Sequence, residues 1–246
     1  MSLLDDVKKQ IENTVGTSMA ITERPAGSMD TSVPEASDLR YSSGRTVTAT
    51  YLYTDMHGSS TLAAVASHEE AARVLRAYLN VSTKIIRSFD GHIRSFDGDR
   101  VMGIFAGSSK EDRAVKAAMR IKWATEKHVT PAIHDQIPSL KSHGWSLKQS
   151  SGIATGKTLL ARAGFRDNDD MISIGAAPNL AAKLSDIRGT GDQARYVTRI
   201  GKGTYSNLSD IGRLSEGKNM WTGPLELPMG GGTYPYYQTA YHWKFT

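Results

Sequence analysis

Strand and helix patterns alternate from about residue 45 onward, and their order most constrains the fold of this chain. A β-branched and aromatic segment, VTATYLYTDM, predicts a central strand. Helical spacing of apolar residues then continues to about Asp90. The segments HIRSF and RVMGIF flank Asp97-Gly98-Asp99, which predicts two strands joined by a tight hairpin.

The remaining elements complete the pattern. Two capping boxes, Ser67 with Glu70 and Ser108 with Glu111, predict the starts of two helices. Further along, we expect strands at SLKQSSGIA and around Met171–Ile174, then a helix from Asn179 to Ile187. The order β-α-β-β-α-β is that of a ferredoxin-like α+β sheet with its helices on one face.

Both ends of the chain differ from the segments that form the predicted β-α-β-β-α-β sheet. Residues 1–44 combine a helical pattern, LLDDVKKQIENTV, with a stretch rich in Ser, Pro, Gly and acidic residues. This predicts an N-terminal helix and a flexible acidic arm, followed by a compact domain over 45–246. The aromatic-rich residues 214–246, which include three consecutive glycines, predict a C-terminal β extension.

Composition excludes several classes of protein. The chain has no cysteine, so disulfides, thiolate metal sites and a cysteine nucleophile are excluded. It has no long apolar run and an acidic N-terminus, so we expect no membrane span, no signal peptide and a cytoplasmic location. The net charge is +5, with four basic and seven acidic side chains in residues 1–44, which leaves the rest at +8. The positive net charge of residues 45–246 suits an anionic ligand such as a nucleotide or nucleic acid.

Two aspartates are the strongest candidates for chemistry. Asp55 ends the first strand, and Gly58 and Ser59 open the next helix, whose amides suit phosphate oxygens. Asp99 lies at the tip of the hairpin, on a neighbouring strand of the predicted sheet. The two carboxylates are therefore placed to hold two divalent cations, Mg²⁺ or Mn²⁺, for phosphoryl or nucleotidyl transfer. Turn chemistry at Asp97-Gly98-Asp99 and a helix cap at Asp55 are the structural alternative.

Three segments in register resemble the catalytic domain of class III nucleotidyl cyclases. They are YLYTDMHGSSTLA, GHIRSFDGDRVMGIF, and SGIATGKTLLARAGF followed by ISIGAAPNLAAKLSDI, within residues 45–210. The resemblance implies cyclisation of a nucleoside triphosphate, with Asp55, Asp99 and the Met56 carbonyl as metal ligands. It implies that Asn179 orients the ribose and that Lys183 stands in the place of the family's transition-state arginine. Arg162 and Arg166 are alternatives for that cation.

The base-reading positions depart from those of the purine cyclases. Ser95 stands where adenylate cyclases usually carry lysine, and Ile172 stands where they carry Asp or Thr. Tyr51 and Tyr53 share one strand face with Asp55, so their bulk could exclude a purine. These substitutions resemble the pyrimidine cyclases of bacterial anti-phage Pycsar systems, which produce cyclic UMP or cyclic CMP. The structural alternative is that both tyrosines are core residues.

The resemblance also implies partners. We expect a homodimer with shared active sites, in which the aspartates of one chain meet Asn179 and Lys183 of the other, and a product that acts on a separate effector. UTP is favoured over CTP because Arg94 or Arg100 could donate to a carbonyl at the 4-position of the base. One rival is a purine cyclase with an unusual pocket. The other is an RNA-binding domain that stacks bases on Phe96 and Phe105, although no nucleic acid partner is expected.

Overall fold

A central sheet organises the chain in a computed structural model that describes residues 2–165 and 168–245. Within these residues the strands are β1 Ala20–Glu23, β2 Ser43–His57, β3 His92–Asp97, β4 Arg100–Phe105, β5 Lys148–Phe165, β6 Asn168–Ile174, β7 Thr198–Gly201, β8 Leu214–Ser215, β9 Lys218–Asn219, β10 Thr222–Met229 and β11 Gly232–Thr239. The main path runs β10-β11-β7-β5-β2-β4-β3, with β1 paired to β2 and β6 to β5.

Helices cover both faces of this sheet. They are α1 Leu3–Gly16, α2 Ser59–Val65, α3 His68–Ser88, α4 Lys110–Ala124, α5 Thr130–Gln136, α6 Pro138–Ser142, α7 Ala176–Asp186, α8 Lys202–Ser206 and α9 Asp210–Arg213. The predicted βαββαβ unit is confirmed as β2-α3-β3-β4-α4-β5, and α3 and α4 pack on one face in the larger apolar core. Helix α7 packs on the opposite face in a second core, which the element order alone does not predict.

One predicted helix start is confirmed and the other is wrong. The Ser67 hydroxyl accepts from the Glu70 backbone N–H at 3.2 Å, and the Glu70 carboxylate accepts from the Ser67 N–H at 2.8 Å. The second box fails because Ser109 adopts a left-handed conformation, with φ of 49°, and α4 begins one residue later than predicted. Glu111 is then the second helical residue, and its carboxylate pairs with Lys110 at 3.3 Å.

The N-terminal segment differs from the loosely held arm expected from its composition. Helix α1 buries none of its residues, but β1 runs parallel to β2 and extends the sheet. Val33 and Leu39 are buried in the core beneath α7, so apolar side chains spaced between the polar ones anchor the segment. No helix in the described part of the chain is both long and apolar enough to cross a membrane.

The predicted C-terminal β extension is present as the β10–β11 hairpin. Its turn contains Gly230 and Gly231, whose positive φ values of 57° and 78° favour glycine. Strand β11 pairs antiparallel with β7, so the hairpin continues the sheet beyond the strands of the βαββαβ unit.

Candidate active site

The two predicted metal aspartates lie next to each other at one end of the sheet. Strands β2 and β4 pair in a register that sets Asp55 opposite Arg100, the residue after Asp99. The Met56 N–H donates to the Asp99 carbonyl at 3.3 Å and ties the strand end to the hairpin. Asp55 is buried and Asp99 is half-buried, and both line a cleft of about 450 Å³. We call it the aspartate cleft.

Two glycines shape the backbone around the aspartate cleft. Gly98 turns the hairpin with φ of 59°, and Gly58 precedes α2 with φ of 78°. Both values lie in the left-handed region, where a side chain is strained. Gly58 and Ser59 line the cleft together with Asp55, Met56 and Asp99. The structure therefore brings together all five residues predicted to bind metal or phosphate, while their binding roles remain predictions.

Two arginines neutralise the buried carboxylate. Arg188 Nη2 donates to Asp55 Oδ2 at 2.5 Å, and Arg100 Nη2 donates to the same oxygen at 3.4 Å. Arg100 also pairs with Asp186 at the end of α7. Sequence reasoning missed Arg188, whose only sequence signal is its position five residues after Lys183. The aspartate cleft thus carries both the carboxylates that attract a cation and the guanidinium groups that attract an anion.

The donor atoms of the aspartate cleft fit a hard divalent cation. The described residues contain no cluster of three or more acidic or histidine side chains arranged to hold a metal. Mg²⁺ does not require such a cluster, since it is commonly held by one or two carboxylates, waters and substrate phosphates. The carboxylates of Asp55 and Asp99 and the Met56 carbonyl would supply the protein oxygens.

A second, basic cavity adjoins the aspartate cleft. It encloses about 580 Å³, and His57 and Arg188 line both spaces. Besides Arg188, its charged lining consists of Lys122, Glu126, Lys148, Arg195 and Arg199. Burial, aided by the nearby charge of Arg188, lowers the pKa of His57 to about 4, so its imidazole is neutral at neutral pH. The excess of cationic side chains makes this cavity attractive to anions.

Arg199 is the most unusual residue of the basic cavity. Only 2% of it is exposed, and its Nη1 donates to Ser150 Oγ and to the Ile187 carbonyl, each at 3.0 Å. Its Nε is buried without a hydrogen-bond partner among the described residues. Burial lowers the pKa of Arg199 to about 10, which still leaves it charged at neutral pH. Sequence reasoning missed this residue because its burial depends on how β7 enters the sheet.

The predicted ribose and transition-state residues lie on the outer face of α7. Asn179 and Lys183 are exposed, and neither is among the described residues that line the aspartate cleft. Helix α7 sits close to β5 because Gly152 and Gly156 face it: a Cβ on Gly152 would come within 2.8 Å of the Leu184 Cβ. The face that carries Asn179 and Lys183 is therefore directed outward, away from the body of its own chain.

The predicted base-reading residues fall into three environments. Tyr51 is fully buried, and burial raises the pKa of its phenol. Tyr53 is half-buried, and it and Ser95 both pair with Met102 across β4. Ile172 is exposed on β6 and lines a separate groove beside α1. Tyr51, Tyr53 and Ser95 thus lie in one region of the sheet, whereas Ile172 faces a separate groove.

The other candidate basic residues are engaged elsewhere. Arg162 Nη2 pairs with Asp169 at 2.7 Å, and Arg94 Nη1 pairs with Glu35 at 2.7 Å. Arg166, the second alternative to Lys183, lies outside the described residues. Arg100, the other predicted donor to the base, is bound to Asp55 and Asp186.

The stacking surface required by the RNA-binding rival is incomplete. Phe96 is 55% exposed, but Phe105 is fully buried beneath α3 and α4. A base cannot stack on a ring that is enclosed by the core.

Comparisons with known proteins agree on one class of enzyme. No protein-family model matches the chain. A uridylate cyclase of Rhodovulum sp. (strain MB263) is 35% identical over 192 residues, which cover 77% of this chain and 78% of the relative. A uridylate cyclase of Burkholderia cepacia is 32% identical over the whole of both chains.

Two solved cyclase structures share the fold of this chain. The guanylyl cyclase Cya2 superposes with a TM-score of 0.66 at 20% identity, and the match covers 82% of this chain and 95% of that one. The adenylyl cyclase CyaB from P. aeruginosa gives a TM-score of 0.62 at 24% identity and covers 80% and 95%. These structural matches establish the fold.

Proposed function

The chain belongs to the class III nucleotidyl cyclases, in the group of the curated uridylate cyclases, and from this premise we propose that it converts a pyrimidine nucleoside triphosphate to its 3′,5′-cyclic monophosphate and pyrophosphate. UTP is the favoured substrate, with CTP as the alternative. The observation that carries the proposal is that Asp55 and Asp99 line one cleft together with Arg188, which donates to Asp55.

In the proposed mechanism the enzyme accelerates the reaction by positioning the nucleoside triphosphate and by neutralising the charge of its phosphates. Asp55, Asp99 and the Met56 carbonyl would hold two cations, Mg²⁺ or Mn²⁺, and these ions would supply acidification of the ribose 3′-hydroxyl and neutralisation of the triphosphate. Gly58 and Ser59 receive phosphate oxygens. The 3′-hydroxyl releases its proton to water, the 3′-oxygen attacks the α-phosphorus in line, the new O3′–P bond forms, and the bond to pyrophosphate breaks.

The remaining catalytic groups are proposed to come from a second copy of the chain. Asn179 orients the ribose and Lys183 neutralises charge on the α-phosphate, although a lysine lacks the bidentate geometry of arginine. Both side chains face outward from α7, as a contribution to a neighbouring chain requires. A homodimer assembled head to tail would carry two equivalent sites of this kind.

Base selection is proposed to depend on Tyr51, Tyr53, Ser95 and Ile172. Tyr53 on β2 and Ser95 on β3 both pair with Met102 of β4, the strand between them, and Tyr51 is buried in the core against which Tyr53 packs. Ile172 is exposed on β6, where a partner chain could approach it. Because uracil and cytosine differ at the 4-position, one oriented polar group is enough to choose between them.

The biological role follows the same premise. We propose that the product is a second messenger in bacterial anti-phage defence, made in the cytoplasm and recognised by a separate effector. A purine cyclase with an altered pocket remains the alternative enzyme, since it would share the metal-binding residues. The RNA-binding alternative loses support, because Phe105 is buried.

The deciding experiment is incubation of the purified chain with each of the four labelled nucleoside triphosphates and Mn²⁺ or Mg²⁺, followed by product identification. We expect cyclic UMP as the main product, with release of pyrophosphate. The Asp55→Asn variant is the control for contaminating activity. Faster cyclisation of ATP or GTP than of UTP and CTP at equal concentration would contradict the proposal.

A further inference from the structure

Arg188 lies on the wall between two cavities. It follows α7 and lines both the aspartate cleft and the basic cavity. Its Nη2 donates to Asp55 Oδ2 at 2.5 Å, and its Nη1 donates to the Ser185 carbonyl. The side chain is 40% exposed. Its guanidinium can therefore change partners without disturbing the apolar core.

The contact with Asp55 places Arg188 in competition with a divalent cation. A metal ion binds a carboxylate oxygen at about 2.0–2.6 Å. An ion at Asp55 Oδ2 would lie within about 5 Å of Arg188 Nη2, and two positive charges at that distance repel each other. Arrival of the cation at this oxygen therefore weakens the contact with Arg188 and favours its departure.

The basic cavity can hold an anion that Arg188 would contact after leaving Asp55. Arg199, buried in its wall, has a free Nε, and its Nη1 donates to the carbonyl of Ile187, the residue before Arg188. A buried guanidinium that lacks a carboxylate partner favours an incoming anion. Arg199 thus holds the backbone from which Arg188 extends and makes the same space attractive to phosphate oxygens.

We propose that Arg188 exchanges partners during the reaction: it neutralises Asp55 until a divalent cation takes that carboxylate, and it then donates to phosphate oxygens that enter the basic cavity. Arg199 is a positioning residue in this exchange. The inference rests on the proposed function, because it requires Asp55 to be a metal ligand and the substrate to carry phosphates.

The exchange predicts effects of opposite sign on two ligands. In Mn²⁺ titrations followed by electron paramagnetic resonance, Arg188→Ala and Arg188→Gln should bind the ion about threefold or more tightly than Arg195→Ala. Arg195 lines the same cavity but does not contact Asp55, so its variant controls for the loss of one positive charge. In calorimetry at saturating Mg²⁺, the Arg188 variants should bind inorganic pyrophosphate about tenfold more weakly than the unchanged chain.

Two outcomes would overturn the exchange. In the first, both Arg188 variants bind Mn²⁺ no more tightly than Arg195→Ala does. In the second, the Arg188 variants bind pyrophosphate as tightly as the unchanged chain does. Arg188→Gln keeps most of the side-chain length, so the test stands even if the alanine variant fails to fold. The Asp55→Asn variant separates this proposal from the proposed function. If it binds Mn²⁺ like the unchanged chain, the metal assignment and the exchange both fail. If it loses Mn²⁺ while the Arg188 variants behave like Arg195→Ala, only the exchange fails.

Discussion

Gly152 lies directly beneath Ala181: a Cβ on Gly152 would overlap the Ala181 carbonyl oxygen in α7. Gly152→Ala should therefore lower the free energy of unfolding by at least about 2 kcal/mol, because backbone atoms and not a flexible side chain would have to move. Displacement of α7 should also reduce cyclase activity, since this helix carries Asn179 and Lys183.

Two other glycines control for the substitution itself. Gly156→Ala should cost less, because its Cβ would meet only the Ala177 Cβ, at 3.1 Å. Gly16→Ala should be close to neutral, since nothing lies within 4 Å of the added atom. Urea denaturation of the three variants checks this ranking. Equal stability of Gly152→Ala and Gly16→Ala would show that α7 does not need the close approach.

Asp55→Asn or Asp99→Asn should abolish turnover, to below about a tenth of the unchanged rate, because each removes a carboxylate proposed to hold a cation. Asparagine has nearly the same size and shape as aspartate, so the folded state should persist, as circular dichroism would verify. Asp135→Asn, an exposed position on α5, is the matched control. Retention of more than a tenth of the activity in either cleft variant would refute the two-metal site.

Local patterns sufficed to predict the aspartate cleft. Asp55 lies two residues before the end of β2 and Asp99 lies in a hairpin turn, and both features are encoded within a few residues. The Ser67 capping box is equally local and is confirmed. The Ser108 box failed because the left-handed conformation of Ser109 shifts the helix start, and the pattern of residue types does not encode that conformation.

Features that depend on the assembled sheet were missed. The contact between Arg188 and Asp55 joins residues 133 positions apart. The burial of Arg199 depends on β7 pairing with β5, and the position of α7 depends on which face of the sheet remains uncovered. Side chains that converge only after these elements pack carry no short-range signature, so a single sequence does not point to them.

If each active site is shared between two chains, mixing two inactive variants should restore activity. Asp55→Asn chains lack a metal ligand and Lys183→Ala chains lack the proposed transition-state cation, so each should be inactive alone. Heterodimers of the two should regain activity through one intact site. Steady-state assays after co-refolding would measure this, with mass spectrometry to prove heterodimer formation. Heterodimers that form but stay inactive would exclude the composite site.

The last prediction separates the two roles open to Tyr51, a core residue or a limit on the size of the base. Its ring is fully buried, and its hydroxyl has no well-formed hydrogen bond among the described residues, although Thr158 and Ser173 lie beside it. Tyr51→Phe should therefore leave stability and the ratio of UTP to CTP turnover unchanged, since the lost hydroxyl satisfies no partner.

Tyr51→Ala should instead cost about 3–5 kcal/mol of stability and open space in the core beside Tyr53. If the ring limits the size of the base, this variant should raise turnover of ATP relative to UTP, and Tyr51→Phe should not, because it keeps the ring. Competition assays with both nucleotides, run below the lowered unfolding temperature, measure that ratio. An unchanged purine to pyrimidine ratio in Tyr51→Ala would assign Tyr51 to the core alone and leave base size to Tyr53.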